Sequence, residues 1–431
     1  TSGEGCIELC ASLFSRGKAL LAAAGHTVVH GYIRSPENLQ RYDEVLLTVF
    51  RTPKSYTGQD SVEISCHGSP AGLQAIMGLL LENGFRAAEP GEFTLRAFLQ
   101  GKLDLTQAEA VHELITAKTR TAHSLALSRL SGGIFRRIDA VKQRMVHAMA
   151  AVSIQLDYPE DELGEIPLPG KDIAFARDEL GGLLSTFSSG RLYQEGVRIA
   201  LAGRTNAGKS SLYNLLVRED RSIVSEQHGT TRDYIETMVN IQGIPVRLFD
   251  TAGLRETEEI IEFEGIRRSG MIIESAALVL YLIDAVKGIE EEDRVRLARI
   301  ADLGVPCVQV WNKVDALSDK RLMELPGDAV PVSVHTGFGL DALHGRITEV
   351  IGGGEGISDG AVVIDSQRQH DLIQRALRAL DQVEQDIVQG DPVDVLALDL
   401  QEVLNALGEI TGEVSSADIL DAMFSGFCVG K

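Results

Sequence analysis

The sequence predicts a multidomain α/β protein, in which a sheet domain of parallel type is inserted into a helical domain. Three observations predict this fold class. Residues 1–99 alternate strand and helix patterns, residues 196–354 repeat a strand–loop–helix pattern, and residues 100–195 and 355–431 carry apolar side chains at helical spacing. We therefore expect a small N-terminal α+β domain, a helical domain in two parts, and a sheet domain between those parts.

The composition is that of an acidic globular protein. The chain has 431 residues and a formal net charge of −21, and no apolar run is long enough to span a bilayer, so we expect no membrane association. Such acidity repels phosphate backbones at long range, so a function on RNA would need a more basic partner for much of the grip. The five cysteines lack metal-ligand spacing and predict reduced thiols in a cytoplasmic protein.

The N-terminal domain is predicted to contain strands at residues 45–50 and 61–66 and a helix at residues 70–82. Both strands are rich in β-branched and apolar residues. The helix is amphipathic and ends at Asn83-Gly84, a typical stop signal.

The helical domain is predicted to begin at a capping box. In this motif the Thr106 side chain would accept from one free amide of the first turn, and the Glu109 side chain would reach back to another. Helical periodicity continues to Gly132-Gly133, and a second long helix is predicted at residues 134–156. After the sheet domain, helical spacing returns in a segment closed by Gly390 and in a further helix beyond it.

Residues 203–210 form the pattern G-x-x-x-x-G-K-S between a predicted strand at 197–202 and a predicted helix at 211–217. In that context the glycines let backbone amides point at phosphates. The lysine is expected to reach the β- and γ-phosphates of a nucleotide, and the serine hydroxyl is placed to ligate Mg²⁺. The loop residues that we expect to contact the nucleotide are Asn206, Ala207, Gly208, Lys209, Ser210 and Ser211.

Two further motifs bear on the metal and the γ-phosphate. D-T-A-G at residues 250–253 follows a predicted strand at 246–249; its carboxylate can hold the Mg²⁺ shell, and its glycine amide can sense the γ-phosphate. G-T-T at residues 229–231 lies between this motif and the phosphate loop, where a switch loop belongs. One of the two threonines must face the metal, and we favour Thr231, although the sequence alone does not choose between them.

The pattern N-K-x-D at residues 312–315 follows a predicted strand at 307–311. The Asp315 carboxylate can accept from both N1–H and the exocyclic amine of guanine, a pair that adenine lacks. A serine follows the predicted strand at 330–332, where the last guanine-contacting loop belongs, although Val334 replaces the usual alanine. These motifs, in this order, predict a Ras-like P-loop GTPase domain. Its nucleotide contacts beyond the phosphate loop are predicted to be Gly229, Thr230, Thr231, Asp250, Thr251, Ala252, Gly253, Asn312, Lys313, Asp315 and Ser333.

Leu254 occupies the position at which many switch GTPases carry a water-orienting glutamine. Leucine neither donates nor accepts a hydrogen bond, so another group must orient the attacking water. Five glutamates follow between residues 256 and 264, and each taken singly has the alternative of belonging to a solvated acidic loop. The motifs fix no arginine finger, and Arg204 and Arg232 are the candidates.

Motifs outside the sheet domain resemble those of one family. They are S-Y-T-G at 55–58, V-E-I-S-C-H-G at 62–68, E-P-G-E-F-T at 89–94, R-A-F-L at 96–99, K-L-D-L at 102–105 and F-C-V-G-K at 427–431. With the GTPase motifs, they resemble the tRNA-modification GTPase family called MnmE or TrmE over nearly the whole chain. The resemblance implies a homodimer of three-domain subunits, with the GTPase domain inserted into the helical domain.

The resemblance also implies a chemistry. The family's N-terminal domain resembles tetrahydrofolate-binding folds, drives dimerisation and binds a formyl-tetrahydrofolate one-carbon donor. Proteins of the family form a heterotetramer with a flavoprotein partner that carries FAD and is called MnmG or GidA. Together they install a 5-carboxymethylaminomethyl-type group at C5 of the wobble uridine of certain tRNAs, and the same substrate and partner are implied for this chain.

Individual residues match functional residues of the family. Asn206 matches a K⁺-binding asparagine, Glu262 matches the glutamate that orients the attacking water, and Cys428 matches a C-terminal functional cysteine whose role stays open between nucleophile and folate contact. In the family the GTPase domains pair in a K⁺-dependent manner, so the cation is implied to supply the positive charge of an arginine finger. Glu63 and Arg96 are the candidates for the folate site, with a structural ion pair as the alternative.

The chief alternative is an RNA-associated or ribosome-associated regulatory GTPase that carries out no modification chemistry. Such a protein would be expected to carry an RNA-binding module with a basic face, which the sequence does not show. One basic stretch of the helical domain could contact tRNA, although a solvated helix face is the simpler interpretation. Its members are Arg129, Arg136, Arg137, Lys142 and Arg144. A purely structural dimeric scaffold conflicts with the full set of hydrolytic motifs.

Overall fold

The structure is a computed structural model that describes residues 1–157, 170–219, 236–250, 273–352, 358, 360–414, 420 and 423–427. Contacts divide the chain into two compact units: unit 1 comprises Thr1–His112 and Asn405–Lys431, and unit 2 comprises Glu113–Leu404. This division does not test the predicted domain boundaries, which stay predictions. Within the described residues, no helix combines the length and apolarity needed to cross a bilayer.

Unit 1 combines a small antiparallel sheet with short helices. Its elements are α1 (Cys6–Ser12), α2 (Gly17–Ala22), β1 (Thr27–Arg34), β2 (Arg41–Phe50), β3 (Ser61–Ser65), α3 (Pro70–Glu82), α4 (Glu92–Leu99) and the start of α5 (Leu105–Thr116). The strands pair in chain order, β1 with β2 and β2 with β3. Alternate side chains of β2, Val45, Leu47 and Val49, are buried in the core, as expected for a strand with one solvated face.

The predicted N-terminal elements are confirmed except at their edges. Helix α3 has the predicted bounds, and the Ser69 hydroxyl caps it by accepting from the Gly72 amide at 3.1 Å. Strand β2 begins before the predicted residue 45, and β1 was not predicted. Gly31 interrupts the apolar pattern of β1 because a Cβ there would lie 2.5 Å from the Phe14 ring.

The predicted capping box at Thr106 is wrong, because the cap lies two residues earlier. The Asp104 carboxylate accepts from the backbone amides of Thr106 and Gln107, and the Gln107 side chain accepts from the Asp104 amide. The Thr106 hydroxyl itself donates to Asp104, at 2.5 Å. A carboxylate also interacts more favourably than a hydroxyl with the positive end of the helix dipole, so Asp104 wins the capping position.

Unit 2 contains the long helices and a six-stranded sheet. Its elements are α6 (Arg120–Leu130), α7 (Gly133–Asp157), α8 (Gly170–Ser185), α9 (Phe187–Glu195), β4 (Val197–Gly203), α10 (Lys209–Glu219), β5 (Glu236–Ile241), β6 (Ile244–Asp250), β7 (Leu278–Asp284), α11 (Glu291–Asp302), β8 (Cys307–Asn312), a 3₁₀ turn (Val314–Ala316), α12 (Asp319–Met323), β9 (Val330–Val332), α13 (Leu340–Val350), α14 (Gln367–Gln389) and α15 (Val393–Thr411), whose last turns belong to unit 1. The predicted long helices are confirmed in α7, α14 and α15.

The sheet has the strand order β5-β6-β4-β7-β8-β9 and is parallel except for the β5–β6 hairpin. The central strands β4 and β7 are buried almost throughout, as expected for a parallel sheet covered on both faces. The carboxyl ends of β4, β6, β7 and β8 therefore meet at one edge of the sheet, where ligands bind in folds of this type.

Two helices of the predicted helical domain share a hydrophobic core with the sheet. Leu125 of α6 and Tyr193 of α9 belong to the same buried cluster as Ile241 and Ile244 of the β5–β6 hairpin. The hairpin turn at Gly243 lies so close to α6 that a Cβ would stand 2.4 Å from the Thr121 hydroxyl. Within unit 2, the sheet and these helices thus pack as one body.

The predicted basic face of the helical domain is wrong for Arg129, which is buried. Its side chain is 1% exposed and forms ion pairs with Glu113 at 2.7 Å and with Asp365 at 2.5 Å. Arg137 and Arg144 of α7 pair with carboxylates of α8. Arg129 is tolerated in the core because two carboxylates compensate its charge, whereas Arg137 and Arg144 are 31% and 47% exposed and pair at the surface.

Candidate nucleotide-binding site

The phosphate loop connects the buried strand β4 to helix α10, as the sequence predicted. Gly203 has a φ of 134°, and a Cβ there would lie 2.4 Å from the backbone carbonyl of Leu282. Gly208 has a φ of 103°, and its Cβ would lie 2.1 Å from the Asn312 side chain. Both glycines of the motif are therefore required by positive φ and by close neighbours, as in the glycine-rich loops whose backbone amides approach phosphates.

Lys209, the first residue of α10, curls back over this loop. Its ammonium group donates to the backbone carbonyls of Gly203 at 2.8 Å and Arg204 at 2.7 Å. These contacts place the positive charge beside the cradle, where it can meet phosphate oxygens. Ser210 follows at the exposed surface of the first turn, and its hydroxyl is a ligand type that Mg²⁺ accepts together with carboxylate and phosphate oxygens.

Asn312 is the first residue of the predicted guanine loop, the N-K-x-D segment at residues 312–315, and it contacts the phosphate loop. Its side chain is buried, donates to the Ala207 carbonyl at 2.8 Å and accepts from the Val334 amide at 3.2 Å. Asn312 therefore holds the phosphate loop and the segment at Val334 together, in addition to its predicted contact with the base. Because Val334 contributes its backbone amide here, this contact does not depend on the alanine usually found at that position.

Ser333 orients the residue predicted to select guanine. Its buried hydroxyl donates to the Asp315 carboxylate at 2.6 Å and accepts from the Thr336 amide at 3.2 Å. A hydrogen bond to one carboxylate oxygen restricts rotation of the side chain while the second oxygen retains its acceptor capacity. The structure thus brings together two predicted site residues, and gives Ser333 a role that the sequence pattern did not specify.

Lys313 links both loops at their exposed side. Its ammonium group donates to the backbone carbonyl of Asn206 at 2.9 Å and to the Asp284 carboxylate at 2.6 Å. Asn206 itself is exposed and has a positive φ of 64°, a conformation that asparagine tolerates better than most residues. Asp284 was not predicted. The available signal was its place at the end of a buried strand, at the sheet edge that carries the other motifs.

Arg204 is engaged by its own unit. Its guanidinium pairs with Glu290 at 2.5 Å and with Glu292 at 3.0 Å, and the hydrogen bond to Glu290 is the main cause that raises the pKa of Arg204. Arg296 of α11 also pairs with Glu292 and donates to the Gly203 carbonyl at 3.3 Å. These contacts fasten the start of the phosphate loop to α11 and leave Arg204 poorly placed as an arginine finger in this conformation.

Several predicted site residues lie outside the described residues. They are Gly229, Thr230, Thr231, Arg232, Thr251, Ala252, Gly253, Leu254, Glu262 and Cys428. The backbone of Asp250 is described: it ends β6 in register with Leu201 of β4, which puts it at the same sheet edge as the phosphate loop. The roles of Asp250 and of the residues outside the described part of the chain stay predictions.

The two candidate folate residues occupy separate elements of unit 1. Glu63 is exposed on β3. Arg96 of α4 pairs with Glu92 at 2.6 Å and donates to the Ser2 carbonyl and the Gln59 side chain. Hydrogen bonds from Arg86 first, and from the Glu89 amide and Arg96 as well, lower the pKa of Glu92 to about 2. Among its described contacts, Arg96 is thus tied to Glu92 rather than to Glu63.

Comparisons with known proteins match the chain from end to end. Residues 1–102 match the family model described as GTP-binding protein TrmE N-terminus, and residues 105–428 match the MnmE helical domain model. Proteins named tRNA modification GTPase MnmE from Borrelia turicatae and Treponema denticola are each 43% identical, covering 100% of this chain and 94% of those proteins. The protein of that name from Carboxydothermus hydrogenoformans is 40% identical, with 100% and 95% covered.

Solved structures resemble smaller parts of the chain. A variant of Era from Aquifex aeolicus bound to GDP·AlF₄⁻ is 25% identical, with a TM-score of 0.31, and the match covers 42% of this chain and 66% of that one. The G domain of the FeoB iron transporter of T. maritima is 26% identical, with a TM-score of 0.27, 36% of this chain and 98% of that one being covered. The full-length similarity therefore decides the family.

Proposed function

The chain belongs to the tRNA modification GTPase MnmE family and is a GTP-hydrolysing enzyme, and from this premise we propose that it drives modification of the wobble uridine of tRNA at C5. The product would carry a 5-carboxymethylaminomethyl-type group. The observation that carries the proposal is the full-length similarity to proteins of that name, together with an intact phosphate loop joined through Asn312 to a guanine loop. The regulatory alternative without modification chemistry explains the GTPase domain alone.

We propose that GTP lies along the sheet edge, with its phosphates in the 203–210 cradle and its base against Asp315. Lys209 would meet the β- and γ-phosphates, while Ser210, Thr231 and the Asp250 carboxylate would hold Mg²⁺ directly or through its water shell. Bound Mg²⁺ would neutralise charge that develops on the phosphates during hydrolysis. The predicted switch residues Gly229, Thr230, Thr251, Ala252 and Gly253 would sense the γ-phosphate.

Hydrolysis also needs an oriented water and a positive charge beyond that of Lys209 to stabilise the transition state. We propose that K⁺ bound by Asn206 provides the charge and that Glu262 orients the water when GTPase domains of two subunits pair. The exposed position of Asn206 at the loop surface is compatible with a cation ligand, because its amide oxygen is of the ligand type that K⁺ accepts. The engagement of Arg204 by Glu290 and Glu292 supports a cation rather than an arginine in this role.

The modification chemistry would use a formyl-tetrahydrofolate donor held by unit 1. We propose Glu63 and Arg96 as folate contacts and Cys428 as a participating thiol. A homodimer would associate with a flavoprotein of the MnmG or GidA type, whose FAD would serve the reaction. Because the chain carries a net charge of −21, a more basic partner would also help to hold the tRNA.

The K⁺ proposal predicts a GTPase rate that depends on the salt and on protein concentration. The rate of purified protein in KCl is expected to exceed that in NaCl by about 10-fold or more, since a lost charge stabiliser of the transition state typically costs 10²–10³-fold. It should also rise more than linearly with protein concentration. Asn206→Ala should remove the salt effect, whereas Asn38→Ala, a change in an exposed loop of unit 1, should preserve it. Equal rates in both salts would contradict the proposal.

The modification proposal predicts a change in tRNA. Cells lacking the protein should lose C5-modified wobble uridine from bulk tRNA, measured by nucleoside mass spectrometry after digestion. Expression of the wild-type chain should restore the nucleoside, and expression of Cys428→Ser should not. Unchanged nucleosides in the deleted cells would support the regulatory alternative instead.

A further inference from the structure

Asp284 lies at the end of β7, between the strand that leads into the phosphate loop and the strand that leads into the guanine loop. The sheet order β4-β7-β8 places it there, and its Cα is in register with Asn312. The Ala285 amide donates to the Asn312 carbonyl at 2.8 Å. The backbone position of Asp284 is therefore set relative to both β4 and β8.

The two carboxylate oxygens of Asp284 have separate partners. Oδ2 accepts from the Lys313 ammonium at 2.6 Å, and Oδ1 accepts from the Val286 amide at 3.0 Å, which closes the turn that follows β7. The Asp284 side chain is only 13% exposed, whereas Lys313 is 41% exposed. The lysine is thus held by the aspartate at a position where its long chain could otherwise extend into solvent.

The same ammonium group reaches the phosphate loop. Lys313 donates to the Asn206 carbonyl at 2.9 Å, and both residues have positive φ, 64° for Asn206 and 69° for Lys313. Such backbone conformations persist when surrounding contacts determine them. Partial burial alone would raise the pKa of Asp284, but the hydrogen bonds from Lys313 and Val286 lower it, so the carboxylate is ionised and the contact is charge-assisted.

We propose that Asp284 is a positioning residue for guanine-nucleotide binding, which holds the Lys313 ammonium on the Asn206 carbonyl and so fixes the guanine loop against the phosphate loop. The ligand class rests on the proposed function. One nucleotide must contact both loops at once. A fixed spacing between the loops therefore lowers the entropic cost of ordering them when the nucleotide binds. Asp284 acts through Lys313 and does not itself touch the nucleotide.

Asp284→Asn separates this role from the structural one. The amide oxygen of asparagine can still accept from Val286 and close the turn. The negative charge that faces the Lys313 ammonium is lost. With a fluorescent GDP analogue, we expect the Kd to rise about 10-fold, because the amide NH₂ that takes the place of Oδ2 cannot accept from the Lys313 ammonium, so the charge-assisted hydrogen bond is lost. Asp302→Asn, at the exposed end of α11, is the matched control and should leave the Kd unchanged.

A double-mutant comparison tests whether the effect passes through Lys313. Lys313→Met should itself weaken GDP binding, and adding Asp284→Asn to that variant should change the Kd less than about 2-fold, because the partner of the carboxylate is gone. The thermal unfolding midpoint of nucleotide-free Asp284→Asn should remain within about 2 °C of the wild type, a shift expected for well under 1 kcal/mol.

The outcomes are distinct. An unchanged GDP affinity in Asp284→Asn, beside a wild type that binds normally, would overturn the inference and leave the proposed function intact. An equal effect of Asp284→Asn with and without Lys313→Met, accompanied by a lowered unfolding midpoint, would show a structural role and also overturn it. A wild-type protein that bound adenine and guanine nucleotides alike would contradict the proposed guanine site itself.

Discussion

Asp315→Asn is expected to lower the affinity for GTP by about 10³-fold, because the variant leaves hydrogen-bonding groups of the base without partners. The Asp315 carboxylate can accept from both N1–H and the exocyclic amine of guanine. An asparagine side chain offers one acceptor and one donor, so its amide would face the amine of guanine, donor against donor. Xanthine has a carbonyl in place of that amine, and the variant should therefore prefer xanthosine triphosphate.

The contact from Ser333 makes this exchange informative. The Ser333 hydroxyl donates to Asp315 at 2.6 Å and is itself fixed by the Thr336 amide, so the side chain at position 315 has a defined orientation. Displacement of a bound fluorescent nucleotide by GTP, and separately by xanthosine triphosphate, would measure the affinity of the protein for each. Asp319→Asn, at the start of α12, is the control and should leave the preference for guanine unchanged. Loss of both affinities to the same degree would contradict base selection by Asp315.

The site could be predicted from sequence as far as its chemistry follows from consecutive residues. The phosphate loop is one such run, in which Gly203 and Gly208 have positive φ and Lys209 donates to a backbone carbonyl of the loop. Asp284 could not be predicted in the same way. Its contact with Lys313 depends on β7 lying beside β8, and its effect on Asn206 depends on β7 also lying beside β4. Neither pairing of strands can be inferred from the residues around Asp284.

The fold shows the same division between local and distant causes. Helix α3 was predicted with its bounds because its amphipathic pattern and its Asn83-Gly84 stop signal are neighbours in sequence. At α5 the T-x-x-E pattern indicated Thr106 as the cap, whereas the Asp104 carboxylate two residues earlier accepts from the first amides of the helix. For Arg129, the partners Glu113 and Asp365 are far apart in the sequence of unit 2. Its burial could therefore not be inferred from a segment that carries several basic residues.

Arg129→Met is expected to lower the free energy of unfolding of unit 2 by about 3–5 kcal/mol, the cost of removing one partner from a buried ion pair. Arg129 is 1% exposed, and its loss would leave the carboxylates of Glu113 and Asp365, both nearly buried, without their counter-charge. Arg177→Met is the matched control. Arg177 also pairs with two carboxylates, Asp381 and Glu384, but all three side chains are more than a third exposed, so the expected cost is at most about 1 kcal/mol.

Trp311 provides the measurement, because it is the only tryptophan of the chain and is 6% exposed in β8 of unit 2. Urea unfolding followed by its fluorescence, at a fixed GDP concentration, would report on this unit and not on unit 1. Replacing Glu113, Arg129 and Asp365 together by apolar residues should cost less than Arg129→Met alone, because no buried charge then remains unpaired. Equal destabilisation by Arg129→Met and Arg177→Met would contradict the proposed role of burial, and would mean that water reaches the two carboxylates in solution.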